Sequence, residues 1–122
     1  MILVDTSVWI DHFRRSEAHL VVLLESEEVL VHPFVTGEIA CGNLRNRRLI
    51  LDYLGALPQA TVVTEEEARA LIENRSLSGR GIGYLDVHLL ASTAIHEEAR
   101  LWTLDERLAQ VAGRLGLQYQ PS

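Results

Sequence analysis

The sequence predicts an α/β fold, a three-layer α/β/α sandwich around a central, mainly parallel sheet of four to five strands. Three observations carry this. Short apolar runs rich in β-branched residues recur at Ile2-Leu3-Val4, Val29-Leu30-Val31-His32, Ala60-Thr61-Val62-Val63 and Leu101-Trp102-Thr103-Leu104. Longer stretches with helical spacing separate them, and strands that alternate with helices argue for a parallel sheet. Most of the runs are continuously apolar rather than alternating, as strands covered on both faces are. The 122 residues form one domain, 1–122, long enough to bury about two-thirds of its unfolded surface without metal or disulfide staples.

Each element has a local reason. The first strand, Ile2-Leu3-Val4, ends at Asp5, and Thr6-Ser7 begin a helix carrying Val8, Trp9, Ile10 and Phe13. Glu17 to Glu28 reads as a helix with Leu20, Leu23 and Leu24 on one face. After the second strand, Pro33 suits the first turn of a helix running from about Phe34 to Asn43. A further helix spans roughly Arg47 to Leu57 and is closed by Pro58. The third strand is Ala60 to Val63, and Thr64-Glu65-Glu66-Glu67 is a capping-box match that opens the next helix. Ser78 to Gly83 is a glycine-rich loop, followed by an apolar helix from Tyr84 to Glu97. The fourth strand ends at Asp105. The last helix runs from Glu106 to Leu115, with Gly116 as its C′ stop and Leu117-Gln118-Tyr119 as a short final strand.

Composition excludes several classes. Apolar residues make up 48% and charged residues 23%, an ordinary globular balance. The single cysteine, Cys41, allows no internal disulfide, which fits a reducing cytoplasm. No apolar run approaches the ~20 residues of a membrane span. The N-terminus lacks the basic region of a signal peptide, so a cytoplasmic protein away from membranes is expected. The 17 acids outnumber the 11 basic residues, for a net charge of −6, and every basic residue is arginine. Without lysine there is no P-loop and no Schiff-base chemistry.

Four acids sit in apolar surroundings. Asp5 and Asp105 follow apolar strands at their carboxyl ends, where open parallel sheets bind ligands. The bland alternative for each is a helix N-cap. Glu38 has Phe34, Val35, Cys41 and Gly42 as its helical neighbours, and Asp86 shares a face with Leu89, Leu90 and Thr93. An ionised carboxylate in such a place is costly unless it is paired, hydrogen-bonded or metal-bound. A buried arginine pair, or a position at the wet end of the helix, is the alternative. All four can converge at one sheet edge, where they would repel one another unless a cation joined them. Oxygen-only ligands suit Mg²⁺ or Mn²⁺, and such a site supports hydrolysis of phosphodiesters.

Four segments in order carry a family resemblance. They are Met1-Ile2-Leu3-Val4-Asp5-Thr6-Ser7-Val8-Trp9-Ile10, His32-Pro33-Phe34-Val35-Thr36-Gly37-Glu38-Ile39-Ala40, Gly81-Ile82-Gly83-Tyr84-Leu85-Asp86-Val87-His88-Leu89-Leu90-Ala91, and Leu101-Trp102-Thr103-Leu104-Asp105. With these the chain resembles the PIN-domain ribonucleases, specifically the VapC-type toxins of toxin–antitoxin pairs, over essentially its whole length. The resemblance implies an endoribonuclease. Asp5 and Asp86 would be metal ligands, with Glu38 and Asp105 completing an acidic centre for Mg²⁺, or Mn²⁺ as substitute. Thr6, Ser7 and Thr103 would orient ligands or water, with turn formation and capping as the alternative. His88 is expected to be a structural or surface residue and not a base. The resemblance further implies a homodimer and a cognate antitoxin that covers the active site.

An acidic ribonuclease needs local positive charge. Arg45, Arg47 and Arg48 lie beyond the helix of Glu38, and Arg75 and Arg80 flank the glycine loop that leads to Asp86. Of these, Arg45, Arg47, Arg48 and Arg80 are the candidates for RNA binding; solvated helix-end charges are the alternative. Trp9, Ile10, Phe13 and Leu20 to Leu24 offer apolar surface for a partner, or ordinary core. Two rival functions remain. An aspartate-based phosphatase would need a second acid two residues after Asp5, where Ser7 stands. A non-catalytic PIN-fold RNA-binding or interaction module needs no intact acids.

Overall fold

The computed structural model describes residues Met1 to Pro121. Three strands form its regular sheet: β1 (Ile2–Val4), β2 (Val29–Leu30) and β3 (Arg100–Trp102), in the order β2-β1-β3, all parallel. Register places Leu3 opposite Leu30 and Leu101, so one buried leucine from each strand meets its neighbours in one apolar layer. The described residues also form seven helices: α1 (Thr6–Arg15), α2 (Ala18–Glu25), α3 (Pro33–Cys41), α4 (Arg47–Ala56), α5 (Glu65–Asn74), α6 (Tyr84–Ile95) and α7 (Glu106–Arg114). All seven lie where the sequence expects them.

The local signals act as anticipated. Pro33 occupies the first turn of α3. Thr64 and Glu67 exchange side-chain-to-backbone hydrogen bonds of 3.0 Å at the start of α5. Gly116 follows α7 at φ +73°, the left-handed geometry that favours glycine after a helix.

The sheet is narrower than four to five regular strands. The segment 60–63 is not a strand: the ladder beside it is one bridge between Val31 and Gln59, with Val31 N–H donating to the Pro58 carbonyl and Ala60 N–H to the Val31 carbonyl, both at 2.8 Å. The reason lies in α6. Ser92 Oγ donates to the Thr61 carbonyl at 2.7 Å, and the Thr61 N–H donates to His96 Nε2 at 3.3 Å. Side chains thus take the backbone groups that a strand would have used. At the other edge, Leu117-Gln118-Tyr119 also reduces to a single bridge, Leu101 to Gln118. Both outer segments still run parallel to the sheet, so the five positions hold while the regular ladder contracts to three.

The main core runs through the sheet and both helical layers, and includes Leu3, Val4, Trp9, Leu20, Ile39, Leu54, Leu90, Leu101 and Leu108. Trp9, Leu20 and Leu23 belong to it, so this part of the apolar surplus near the N-terminus is core. Ile10 and Phe13 are only partly buried. They line an open groove of about 620 Å³ with Leu44 and Ile50, and Arg14 and Arg45 also border it. From β1 the chain crosses to β2 on one side and later to β3 on the other, which puts a topological switch at the carboxyl end of β1.

Candidate active site

Asp5 sits at that switch, immediately after β1, and only 7% of its surface is exposed. Its backbone N–H donates to the Trp102 carbonyl at 2.9 Å, which extends the β1–β3 contact by one residue. It occupies the N-cap position of α1, yet its side chain caps nothing. Instead Asp5 Oδ2 accepts two hydroxyls, Ser7 Oγ at 2.8 Å and Thr103 Oγ1 at 2.7 Å. Ser7 Oγ also accepts the Leu104 N–H at 3.0 Å, and Thr103 Oγ1 accepts that of Asp105, also at 3.0 Å. Two hydroxyls with settled acceptor roles are free to give their protons to the carboxylate, which fixes the rotamer of Asp5 and steadies its negative charge.

Asp86 stands at the third position of α6, partly buried. Its Oδ2 accepts the Gly83 N–H at 3.0 Å, reaching back over the helix start. Burial pushes the Asp86 carboxyl above its ordinary range. The Gly83 hydrogen bond opposes the rise, and the charges of Asp5, Asp105 and Glu38 add to it. The three other acids are therefore electrostatic neighbours of Asp86, as the sequence anticipates.

Glu38 and Asp105 correct the expectation that all four acids stand in apolar surroundings, since both are exposed. Glu38 lies in the second half of a helix only nine residues long, where its face opens to solvent beside α1. Thr6 Oγ1 donates to Glu38 Oε1 at 2.9 Å, tying α1 to α3. Asp105 does cap its helix: Oδ1 accepts the N–H groups of Arg107 and Leu108 at 2.9 and 3.1 Å.

A common pattern joins the four. In each carboxylate one oxygen takes every hydrogen bond, and among the described residues the other takes none. The committed oxygens are Asp5 Oδ2, Glu38 Oε1, Asp86 Oδ2 and Asp105 Oδ1. Four oriented carboxylates, each with one oxygen to spare, suit a hard cation. Among the described residues no three acidic, imidazole or thiol side chains close into a ready-made cage. The donor set still fits Mg²⁺, which is held by one or two carboxylates and keeps several of its waters.

The arginines divide. Arg47 is committed to structure, with Nη2 donating to the Ala40 carbonyl at 2.6 Å and Nη1 to that of Gly42 at 3.3 Å, where they close the end of α3. Arg80 donates from Nε to the Ser76 carbonyl at 3.2 Å. Arg45 and Arg48 are exposed. His88 is buried between the rings of Phe34 and Tyr84, both within 5 Å, in the structural place expected of it.

Sequence reasoning missed a polar chain behind the site. His32 Nδ1 accepts the Phe34 N–H, so its Nε2 carries the proton and donates to Ser92 Oγ, which in turn donates to the Thr61 carbonyl. It missed Arg107 as well. The Gly81–Gly83 spacing was the available signal, but it does not say which side chain lies over the glycine.

A parallel α/β domain with carboxylates gathered at the carboxyl edge of its sheet is the arrangement expected of a PIN domain. The PIN domain family model matches residues 2–114, and the chain belongs to that family. Its relatives place it in the VapC-type branch. It is 47% identical over 117 residues to Ribonuclease VapC32 of Mycobacterium tuberculosis, in two strains, covering 96% of this chain and 94% of that protein. It is 33% identical over 114 residues to Ribonuclease VapC19 of the same organism, covering 88% of this chain and 90% of the relative.

Proposed function

We propose that the protein is a Mg²⁺-dependent endoribonuclease, the toxin of a toxin–antitoxin pair, which hydrolyses RNA phosphodiesters at Asp5, Glu38, Asp86 and Asp105. The observation that carries this reading is the shared pattern of the four carboxylates. Each is held by a hydroxyl or amide donor on one oxygen and left open on the other. The ribonuclease names of its relatives point the same way.

Asp5 and Asp86 would hold the ion most directly, because they are the more buried pair, with Glu38 and Asp105 acting directly or through water. The bound ion supplies polarisation of a phosphoryl oxygen and water of lowered pKa. The chain's own contribution is positioning. Ser7 and Thr103 lock Asp5, Thr6 locks Glu38, and the Gly83 N–H locks Asp86. Donors of this kind orient ligands and tune affinity. The raised Asp86 carboxyl is further support, since a cation among these acids relieves their mutual repulsion.

The same reading includes a cytoplasmic homodimer and an antitoxin whose apolar residues enter the groove beside Ile10, Phe13, Leu44 and Ile50. No described helix is long and apolar enough to cross a membrane.

The test is metal binding before cleavage, because a narrow RNA preference can hide activity. Thermal shift and calorimetry with Mn²⁺ and Mg²⁺ compare the wild type with Asp86→Asn. A ligand that binds only the folded state stabilises it, by about 2.7 kcal/mol at one hundred times Kd. Stabilisation of the wild type and a much weaker response in the variant are expected, followed by metal-dependent cleavage of RNA. If neither protein responds to metal, the reading as a non-catalytic PIN-fold binding module replaces this one.

A further inference from the structure

Arg107 lies one residue inside α7, and its position depends on a glycine 26 residues earlier in the chain. A Cβ placed on Gly81 would stand 2.6 Å from Arg107 Cδ, 3.0 Å from Nη1 and 3.2 Å from Nε. The arginine stem and head therefore occupy the space that any side chain at position 81 would fill. Gly81 itself adopts φ +80°, a conformation that L side chains rarely take. Two independent constraints thus keep this position bare beneath Arg107.

Both ends of the contact belong to the candidate active site. Gly81 is two residues before Gly83, whose N–H holds Asp86. The Arg107 N–H is itself bound by Asp105 Oδ1. The guanidinium, seated over Gly81, makes no ion pair or hydrogen bond among the described residues. The ion pairs among the described residues are Arg15 with Asp11 and Arg69 with Glu65. Arg107 is exposed, anchored through its stem, and its charge is unspent.

We infer that Arg107, seated on Gly81, is a phosphate-binding residue that grips the RNA backbone beside the scissile phosphate. The inference rests on the ribonuclease reading and adds to it the group that admits a polyanion to an acidic site. Arginine presents a planar fork that takes two phosphate oxygens at once, and a stem already held by packing loses less freedom on binding. Arg47 and Arg80, by contrast, have already given donors to backbone carbonyls.

The test measures binding of a random-sequence single-stranded RNA pool to Asp86→Asn protein, in which cleavage is suppressed, across a salt series. The expected result is that adding Arg107→Gln weakens binding about tenfold. The slope of log K against log salt should become shallower by about 0.7, the value for one phosphate contact on a single strand. Arg107→Lys keeps the charge and should keep the slope. All three proteins should melt at the same temperature. An unchanged slope in Arg107→Gln overturns the inference, whether binding is unchanged or is weakened along with the melting temperature, which would make Arg107 a clamp on the glycine loop. If neither the Asp86→Asn parent nor the wild type with Ca²⁺ in place of Mg²⁺ binds RNA, the ribonuclease reading fails and the phosphate grip fails with it.

Discussion

Asp105 separates two roles that one side chain performs. Its Oδ1 caps α7, while its second oxygen takes no hydrogen bond among the described residues. Asn can accept the same N–H groups but carries no charge. Asp105→Asn should therefore retain the stability of the wild type and lose RNA cleavage, whereas Asp105→Ala should lose cleavage and about 1 kcal/mol of stability as well. Urea unfolding beside a cleavage assay distinguishes the two. Equal destabilisation by both variants would show that the cap needs the charge. Asp5 shows the opposite division, because Ser7 and Thr103 take over its side chain and leave the cap unmade.

Among elements, His32 links three that are distant in sequence: the start of α3, Ser92 on α6, and the segment at Thr61. Burial, reinforced by the nearby charge of His88, lowers its pKa from 6.5 to about 4. Protonation would also cost it the Phe34 hydrogen bond. The unfolded chain binds this proton more readily than the folded one. Stability is therefore full above pH 6.5 and is lost as pH falls towards 4, by up to about 3 kcal/mol. Burial lowers the His12 pKa too, in the same sense, while the raised Asp86 carboxyl opposes the trend. Urea unfolding of metal-free protein at pH 7 and pH 4.5 should show the loss. His32→Asn should be less stable at pH 7 and show a shallower decline. A wild-type stability that is flat over this range would contradict the account.

The same elements show what the sequence could tell. Helix positions were legible because their signals are local: Pro33, the Thr64–Glu67 box and Gly116 act within a few residues. The segment 60–63 has equally strong local preferences, but Ser92 and His96, some thirty residues away, take its backbone groups. The acids were legible because a carboxylate within an apolar run is conspicuous. The exposure of Glu38 was not, since apolar neighbours on a short helix do not guarantee that anything covers them. The seating of Arg107 on Gly81 is a tertiary contact, and no local pattern encodes it.

For the whole molecule, one apolar cluster joins the sheet to both helical layers, and Leu90 lies fully buried within it. Leu90→Ala should cost 2–5 kcal/mol and lower Tm by about 10 °C or more. Because the cluster is continuous, melting should remain a single transition, with circular dichroism and tryptophan fluorescence changing together. Separate transitions would mean that the layers unfold independently. Charge is also a property of the whole molecule. At −6, the chain repels RNA at long range, and two divalent ions would reduce this to −2.

The contraction of the sheet also bears on how copies of the molecule meet in concentrated solution. A long bare edge of unpaired N–H and C=O groups is a template on which another chain can add a strand, the first step towards cross-β stacking. Here, among the described residues, each flank is a segment that contributes one bridge, at Gln59 and at Gln118. Neither flank offers a run of regularly spaced backbone groups to a newcomer. On the Thr61 flank the side chains of Ser92 and His96 hold the backbone groups that an incoming strand would need, so the capture that shortened the sheet also disfavours strand addition on that side.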